Sequence, residues 1–219
     1  MPIVYVNNPM VENIIETLKK VDTSHYDMYL SVLRATPFIA SEAAKNLDYY
    51  STSVSTVYGK SNSQALNKNI NIVTHLRSGL PMSESLRHFF MCGKISYVLL
   101  DRDIASNILY SSIGNLNRFE NCIICEPLLV DEAPIKMIIE HVLSKGAAQK
   151  RVFVLSLVAA SDEIESLNKE YPDVTFYLNN EDNFFKKYCN DDKNLDCIGE
   201  VIFGDHSELN SLKIKRFYE

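Results

Sequence analysis

The chain has 219 residues, of which 46% are hydrophobic, and these values allow one domain with a sizeable core. Its formal net charge of −6 disfavours a nucleic-acid partner or an anionic membrane surface, because phosphate binding depends on clustered Lys and Arg side chains. With no apolar stretch of ~18 residues and no basic-then-apolar leader, the sequence predicts a cytoplasmic protein without a membrane span or secretory signal.

The first third of the chain combines a helical pattern with a polar strand. Apolar residues at helical spacing predict one helix over residues 11–21 and a second over residues 23–47, with a kink or a restart at Pro37. Residues 51–58 alternate β-branched and polar side chains, which predicts a half-exposed strand. The polar residues 59–69 predict a turn.

Two predicted strands, 70–76 and 96–100, each end in a turn that carries an arginine. The first runs into the sequence Arg-Ser-Gly at residues 77–79 and then into a helix, and the second runs into Arg102. A planar guanidinium at the end of a strand can bind two phosphate oxygens at once. The alternative for Arg77 is a surface ion pair beside a turn glycine, and the alternative for Arg102 is a solvated Asp-Arg-Asp turn.

The sequence is organised around a strand, a turn and a helix in residues 122–145. The apolar run 122–125 predicts a strand buried on both faces, as in parallel sheets. A helical stripe follows, formed by Ile135, Ile138, Ile139, Val142 and Leu143. Ligands of open α/β sheets bind beyond the carboxyl ends of strands and against helix N-termini, so we expect a site in residues 126–134. This loop contains two acids and a proline but no glycine, which is unusual for an anion site.

Strand and helix patterns continue to alternate towards the C-terminus. A strand over residues 151–158, a helix through Ile164 and Leu167, and a strand over residues 172–177 extend the βαβ order. Such an order implies parallel strands joined by right-handed crossovers. We therefore predict one α/β domain over residues 1–219, with a mostly parallel sheet and helices on both faces.

The turns after the strands resemble the substrate loops of uracil phosphoribosyltransferases. Residues 76–79, Leu-Arg-Ser-Gly, are similar to the family's diphosphate loop Leu-Arg-Ala-Gly, and Arg102 matches the arginine of its Tyr-Arg-Asp. Residues 126–129, Glu-Pro-Leu-Leu, match the start of the family's phosphoribosyl-diphosphate loop, Asp-Pro-Met-Leu-Ala-Thr-Gly-Gly-Ser-Ala. Further similar segments lie at residues 8–11, 158–160 and 172–174.

This resemblance implies a type I phosphoribosyltransferase fold with N-terminal helices (1–50), an α/β core (51–178) and a C-terminal hood (179–219). The implied activity belongs to pyrimidine salvage: uracil and phosphoribosyl diphosphate give UMP and diphosphate. If the protein is active, the implied ligands are these two substrates, with Mg²⁺ on the phosphoribosyl diphosphate, and no other cofactor. A homodimer is also implied.

The same resemblance assigns site residues. The positions implied to bind phosphoribosyl diphosphate are Arg77, Ser78, Gly79, Arg102, Glu126, Pro127, Leu128, Leu129, Val130, Asp131, Glu132, Ala133, Pro134 and Cys197. The positions implied to bind the base are Asp191, Asp196, Cys197 and Ile198. Phe203 is expected in the core rather than stacked on a base.

Cysteines, histidines and acids are the side chains that could bind a metal ion. Cys122 and Cys125 lie inside an apolar strand instead of flanking a turn, so we expect buried, reduced thiols rather than zinc ligands. The histidines show no metal spacing, and we predict no metal held by the protein itself. A divalent-cation cluster stays open as an alternative, formed by Asp131, Glu132, Asp191, Asp192 and Asp196.

Both ligand-facing loops depart from the family pattern. Residues 130–134 replace the family's Ala-Thr-Gly-Gly-Ser, and residues 190–198 lack the glycines that bring a hood close to a flat base. One hypothesis is a uracil phosphoribosyltransferase with impaired or lost catalysis. The other is a non-catalytic regulator or dimer partner that keeps the fold. We further predict that Asp131 or Glu132 caps the helix that follows Val130.

Overall fold

The computed structural model describes residues 3–20, 22–91, 93–101, 107–188 and 197–204. The helices are α1 (Pro9–Lys19), α2 (His25–Ala44), α3 (Leu80–Phe90), α4 (Glu132–Ser144), α5 (Ser161–Glu170) and α6 (Cys197–Phe203). The strands are β1 (Ile3–Tyr5), β2 (Tyr49–Thr56), β3 (Gly59–Leu66), β4 (Ile70–Leu76), β5 (Lys94–Leu100), β6 (Ile108–Ser111), β7 (Asn121–Cys125), β8 (Leu128–Leu129), β9 (Val152–Leu155), β10 (Val158–Ala159), β11 (Thr175–Leu178) and β12 (Asn180–Glu181). Short 3₁₀ segments lie at Gln149–Arg151 and Asn183–Tyr188.

The main sheet has the strand order β1-β11-β9-β7-β4-β5-β6, and each neighbouring pair except β5 and β6 is parallel. After β4 the chain adds β5 and β6 on one side, and it then returns to add β7, β9 and β11 on the other side. The order therefore reverses between β4 and β7. In open α/β sheets such a switch point leaves a crevice at the carboxyl ends of the two strands, which is the usual place for a ligand.

Helices cover both faces of the sheet, as predicted. The residues of β7 alternate between two hydrophobic cores, one on each face of the sheet. Cys122 and Ile124 pack in the core that includes α4 and α5. Ile123 and Cys125 pack in the core that includes α1, α2, α3 and α6. Successive side chains of a strand point to opposite faces, so an unbroken apolar run suits a strand buried on both sides. Both cysteines are buried and free, and burial raises the pKa of the Cys122 thiol to about 12.

A smaller parallel sheet lies beyond the carboxyl ends of three main strands. Its strands β8, β10 and β12 follow β7, β9 and β11 after only one or two residues, and they pair in the order β12-β10-β8. Leu128 pairs with Val158, and Leu129 pairs with Ala159. The segment expected to form a ligand loop therefore continues as sheet.

The N-terminal region contains a strand as well as the two predicted helices. β1 pairs in parallel with β11 at the edge of the main sheet, although residues 1–50 were predicted to be helical. A strand of three residues is too short to show a clear alternating pattern, so its placement depends on its distant partner. Pro37 lies inside α2, which is continuous. Of the two alternatives predicted there, a kink or a restart, the restart is therefore wrong.

The strand predicted at residues 51–58 is half of an antiparallel hairpin. Its partner is β3, and the prediction of a turn over residues 59–69 is therefore wrong for most of that stretch. Nearly every residue of the hairpin is exposed, including Val57 at 93% and Tyr58 at 97%. Because neither face is covered, β3 has no apolar alternation from which it could be predicted.

Candidate functional site

Three side chains meet in the crevice between β4 and β7. His75 belongs to β4, Ser78 follows it, and Glu126 follows β7; they are only 3%, 1% and 5% exposed. Glu126 Oε2 accepts a hydrogen bond from Ser78 Oγ at 3.1 Å and lies 2.5 Å from His75 Nδ1. The carboxylate is therefore directed into the protein, where buried acids require such partners.

Gly79 packs against the end of β7. A Cβ atom at this position would lie 2.4 Å from the Cys125 carbonyl oxygen and 3.0 Å from the His75 carbonyl oxygen. The φ angle of Gly79 is −75°, which any residue adopts, so the glycine is needed for close approach and not for its conformation. The turn thus has a packing reason for its glycine, independent of a ligand.

Of the two arginines that end predicted strands, the structure describes Arg77. Arg77 is partly exposed at the carboxyl end of β4, after a cis Leu76–Arg77 peptide bond. It therefore lies at the same crevice as Ser78 and Glu126. Arg102 falls outside the described residues.

Most of the predicted phosphoribosyl-diphosphate loop is buried. Leu128, Leu129 and Val130 are 4%, 1% and 5% exposed, and Pro127 is buried as well. The Pro127 carbonyl accepts from the Leu157 N–H at 2.9 Å, and the Leu129 carbonyl accepts from the Ala160 N–H at 2.8 Å. The carbonyl groups of Pro127 and Leu129 are therefore already hydrogen-bonded to residues 157–160.

Two carboxylates of the protein occupy the N-terminus of α4. The Ala133 N–H donates to Asp131 Oδ1 at 2.9 Å, and the Glu132 N–H donates to Glu163 Oε2 at 3.1 Å. Pro134 stands at the third position and has no N–H. The first turn of a helix leaves its N–H groups without partners inside the helix, and the helix dipole favours an anion beside them. Here the anions come from the chain itself.

The prediction that Asp131 or Glu132 caps α4 is confirmed, and the residue that caps it is Asp131. The Oε2 atom of Glu132 is buried and forms no hydrogen bond with the residues that the structure describes. Glu163, at the start of α5, was missed by the sequence analysis. The signal that could have revealed it is the Asp162-Glu163 pair at the start of the next βα unit, whose helix packs beside α4.

The residues predicted to form a hood are only partly described. Ile198 lies in α6, is 5% exposed and joins the core against α2. Phe203 packs against the same core and makes an edge contact with Tyr29, with ring centroids 5.8 Å apart, as expected for a core residue. The backbone of Cys197 begins α6, whereas Asp191 and Asp196 lie outside the described residues.

No group of three or more His, Cys, Asp or Glu side chains in the described ranges is placed to hold a metal ion. Of the acids in the open cation-cluster alternative, Asp131 caps α4 through one of its oxygens, and Asp191, Asp192 and Asp196 are outside those ranges.

Comparison with known proteins places these observations in a family. The uracil phosphoribosyltransferase family model matches residues 5–189. The chain belongs to this family. Relatives include the uracil phosphoribosyltransferases of Thermosipho melanesiensis, 24% identical over 181 residues (81% of this chain, 86% of the relative), and Methanococcus maripaludis, 22% identical over 214 residues (95% and 92%). The solved AQ2163 protein of Aquifex aeolicus has a TM-score of 0.81 at 20% identity, covering 94% of this chain and all of that one.

The family assignment confirms the resemblance drawn from the substrate-loop motifs. It also agrees with the observed architecture, a type I phosphoribosyltransferase-like α/β fold with a mostly parallel sheet and helices on both faces. In the parts of the chain that the structure describes, no helix is both long and apolar enough to cross a membrane.

Proposed function

We propose that this uracil phosphoribosyltransferase-like protein forms little or no UMP from uracil and phosphoribosyl diphosphate, with or without Mg²⁺. It retains the family scaffold as a pseudoenzyme, and its role is that of a non-catalytic regulator or dimer partner. A cytoplasmic location is part of this proposal.

The observation that carries the proposal is the occupied N-terminus of α4. A ribose 5′-phosphate placed there meets the carboxylates of Asp131 and Glu163. At ~4 Å and an effective dielectric constant of ~20, each pair of like unit charges costs about 4 kcal/mol before screening. A hydrogen bond to a charged phosphate contributes about 1.5–3 kcal/mol. The N–H groups of Glu132 and Ala133 would therefore not offset the repulsion from two carboxylates.

The crevice between β4 and β7 supports the same proposal. Ser78 and Glu126 stand where the family pattern quoted above has Ala and Asp, and these two replacements hydrogen-bond to each other. The longer Glu126 side chain also reaches His75 at 2.5 Å. Both partners hold the carboxylate inward, away from a substrate that would enter the crevice from solvent.

The test is a direct assay of UMP formation from labelled uracil, phosphoribosyl diphosphate and Mg²⁺. We expect no turnover above background, while the Thermosipho melanesiensis relative, assayed in parallel, serves as the positive control. A turnover number within the usual enzyme range of about 1–10³ s⁻¹ would show the proposal to be wrong.

We also propose that the protein is a homodimer. The β2–β3 hairpin supports this, because a two-stranded ribbon exposed on both faces is marginally stable in water and carries exposed apolar side chains such as Val57 and Tyr58. Light scattering should give about twice the 24.9 kDa chain mass. Particles of the single-chain mass alone at micromolar concentration contradict the proposal.

A further inference from the structure

The 3₁₀ segment Asn183–Tyr188 is docked on the N-terminus of α5. Asn183 Oδ1 accepts a hydrogen bond from the Ser161 N–H at 3.1 Å. Lys186 Nζ lies 2.5 Å from Asp162 Oδ2 and 2.7 Å from Glu163 Oε1. A segment of the hood therefore contacts the first three residues of α5.

The first turn of α5 also contacts the first turn of α4. Glu163 uses its two oxygens for different partners, because Oε1 faces Lys186 and Oε2 accepts from the Glu132 N–H at 3.1 Å. The side chains of Lys186 and Glu163 are 25% and 18% exposed, so their attraction is only partly screened by water. One carboxylate thus joins the hood segment to α4.

Lys186 offsets part of the negative charge that is gathered around this carboxylate. Asp131, Asp162 and Glu163 lie at the starts of α4 and α5, and like charges gathered in this way repel one another. The Lys186 hydrogen bond lowers the pKa of Asp162, and the hydrogen bonds to Asp162 and Glu163 raise the pKa of Lys186. Asp162 and Lys186 are therefore both ionised at neutral pH.

We propose that Lys186 and Glu163 form an internal latch that couples the hood to the N-terminus of α4. Glu163 closes the α4 N-terminus. Lys186 positions Glu163 through their ion pair. Because Lys186 belongs to the segment 183–188, this segment can move away only if the ion pair breaks. Opening of the α4 N-terminus to an external anion then requires Glu163 to move away, and this movement breaks its pair with Lys186. This latch goes beyond the proposed loss of catalysis, because it is a coupling between two segments whether or not UMP is formed.

Amide hydrogen exchange of the ¹⁵N-labelled full chain, measured by NMR without any ligand, tests the latch. Glu163→Ala removes the acceptor and should accelerate exchange of the Glu132 amide. Lys186→Met removes only the positioning cation and should accelerate the same amide about fivefold, the factor expected for a partly exposed ion pair. Lys186→Arg should keep the native rate.

The matched control is Lys169→Met, the same substitution at an exposed residue of α5. It should leave the Glu132 amide unchanged, and amides inside α4 such as that of Ile138 should not respond to Lys186→Met. The latch is overturned if Lys186→Met leaves the Glu132 amide at the native rate, or if it accelerates all of α4 equally. Native exchange in Glu163→Ala overturns the contact itself.

Discussion

A variant with a restored phosphate loop should bind ribose 5-phosphate at least about 100-fold more tightly than the native chain. It replaces residues 130–134 by Ala-Thr-Gly-Gly-Ser and carries Glu163→Ala. The changes remove both carboxylates from the α4 N-terminus and add an N–H at position 134, where Pro134 has none. A 100-fold gain corresponds to about 2.7 kcal/mol, within reach of two or three new hydrogen bonds to a charged phosphate.

Isothermal titration calorimetry with ribose 5-phosphate measures this gain, and the two partial variants serve as controls. The loop replacement alone keeps Glu163, and Glu163→Ala alone keeps Asp131, so each should show an intermediate affinity. The full variant should also unfold at a lower temperature, since each new glycine costs up to about 1 kcal/mol. Equal affinities for the full variant and the native chain mean that the carboxylates do not exclude the phosphate.

The second large effect is expected at Gly79. Gly79→Ala should lower the free energy of unfolding by about 3 kcal/mol or more, because its Cβ would lie 2.4 Å from the carbonyl oxygen of Cys125. The obstacle is backbone rather than the end of a flexible side chain, so the turn after β4 must move away from the end of β7. Urea unfolding gives the size of the loss, and failure to fold is its extreme form.

Gly114→Ala is the matched control for this loss. Nothing lies within 4 Å of a Cβ built at Gly114, and we expect a change within about 0.5 kcal/mol. If Gly79→Ala is as stable as Gly114→Ala, the turn after β4 is not packed as described. The glycine would then need another explanation, such as contact with a ligand.

The central part of the fold could be predicted because its signals are local. The apolar run of β7 and the helical stripe of α4 each bury their own residues, so burial is visible in the sequence. β1 and β3 could not be predicted, since β1 depends on pairing with β11 and β3 is exposed on both faces. Strands of two residues, such as β8, carry no periodicity at all.

In the candidate site, too, short-range contacts could be predicted from the sequence and long-range contacts could not. Asp131 is two residues from the N–H that it caps, and this short-range pattern is recognisable in the sequence. Glu163 caps α4 from 31 positions along the chain, and His75 contacts Glu126 from 51 positions away. These contacts follow from the packing of neighbouring βα units, and no spacing rule in a single sequence reports them.

The packing of α6 has a consequence for how this chain can evolve. Ile198, Val201 and Ile202 are 5%, 9% and 2% exposed, and His25 Nδ1 lies 3.0 Å from the Val201 carbonyl oxygen. The same helix covers part of α2, whose apolar face would otherwise meet water. Under the proposed loss of catalysis, selection for a folded core continues to act on this stretch without selection for contact with a base. Mutational drift can then replace the glycines of the predicted hood but not the helix that follows them.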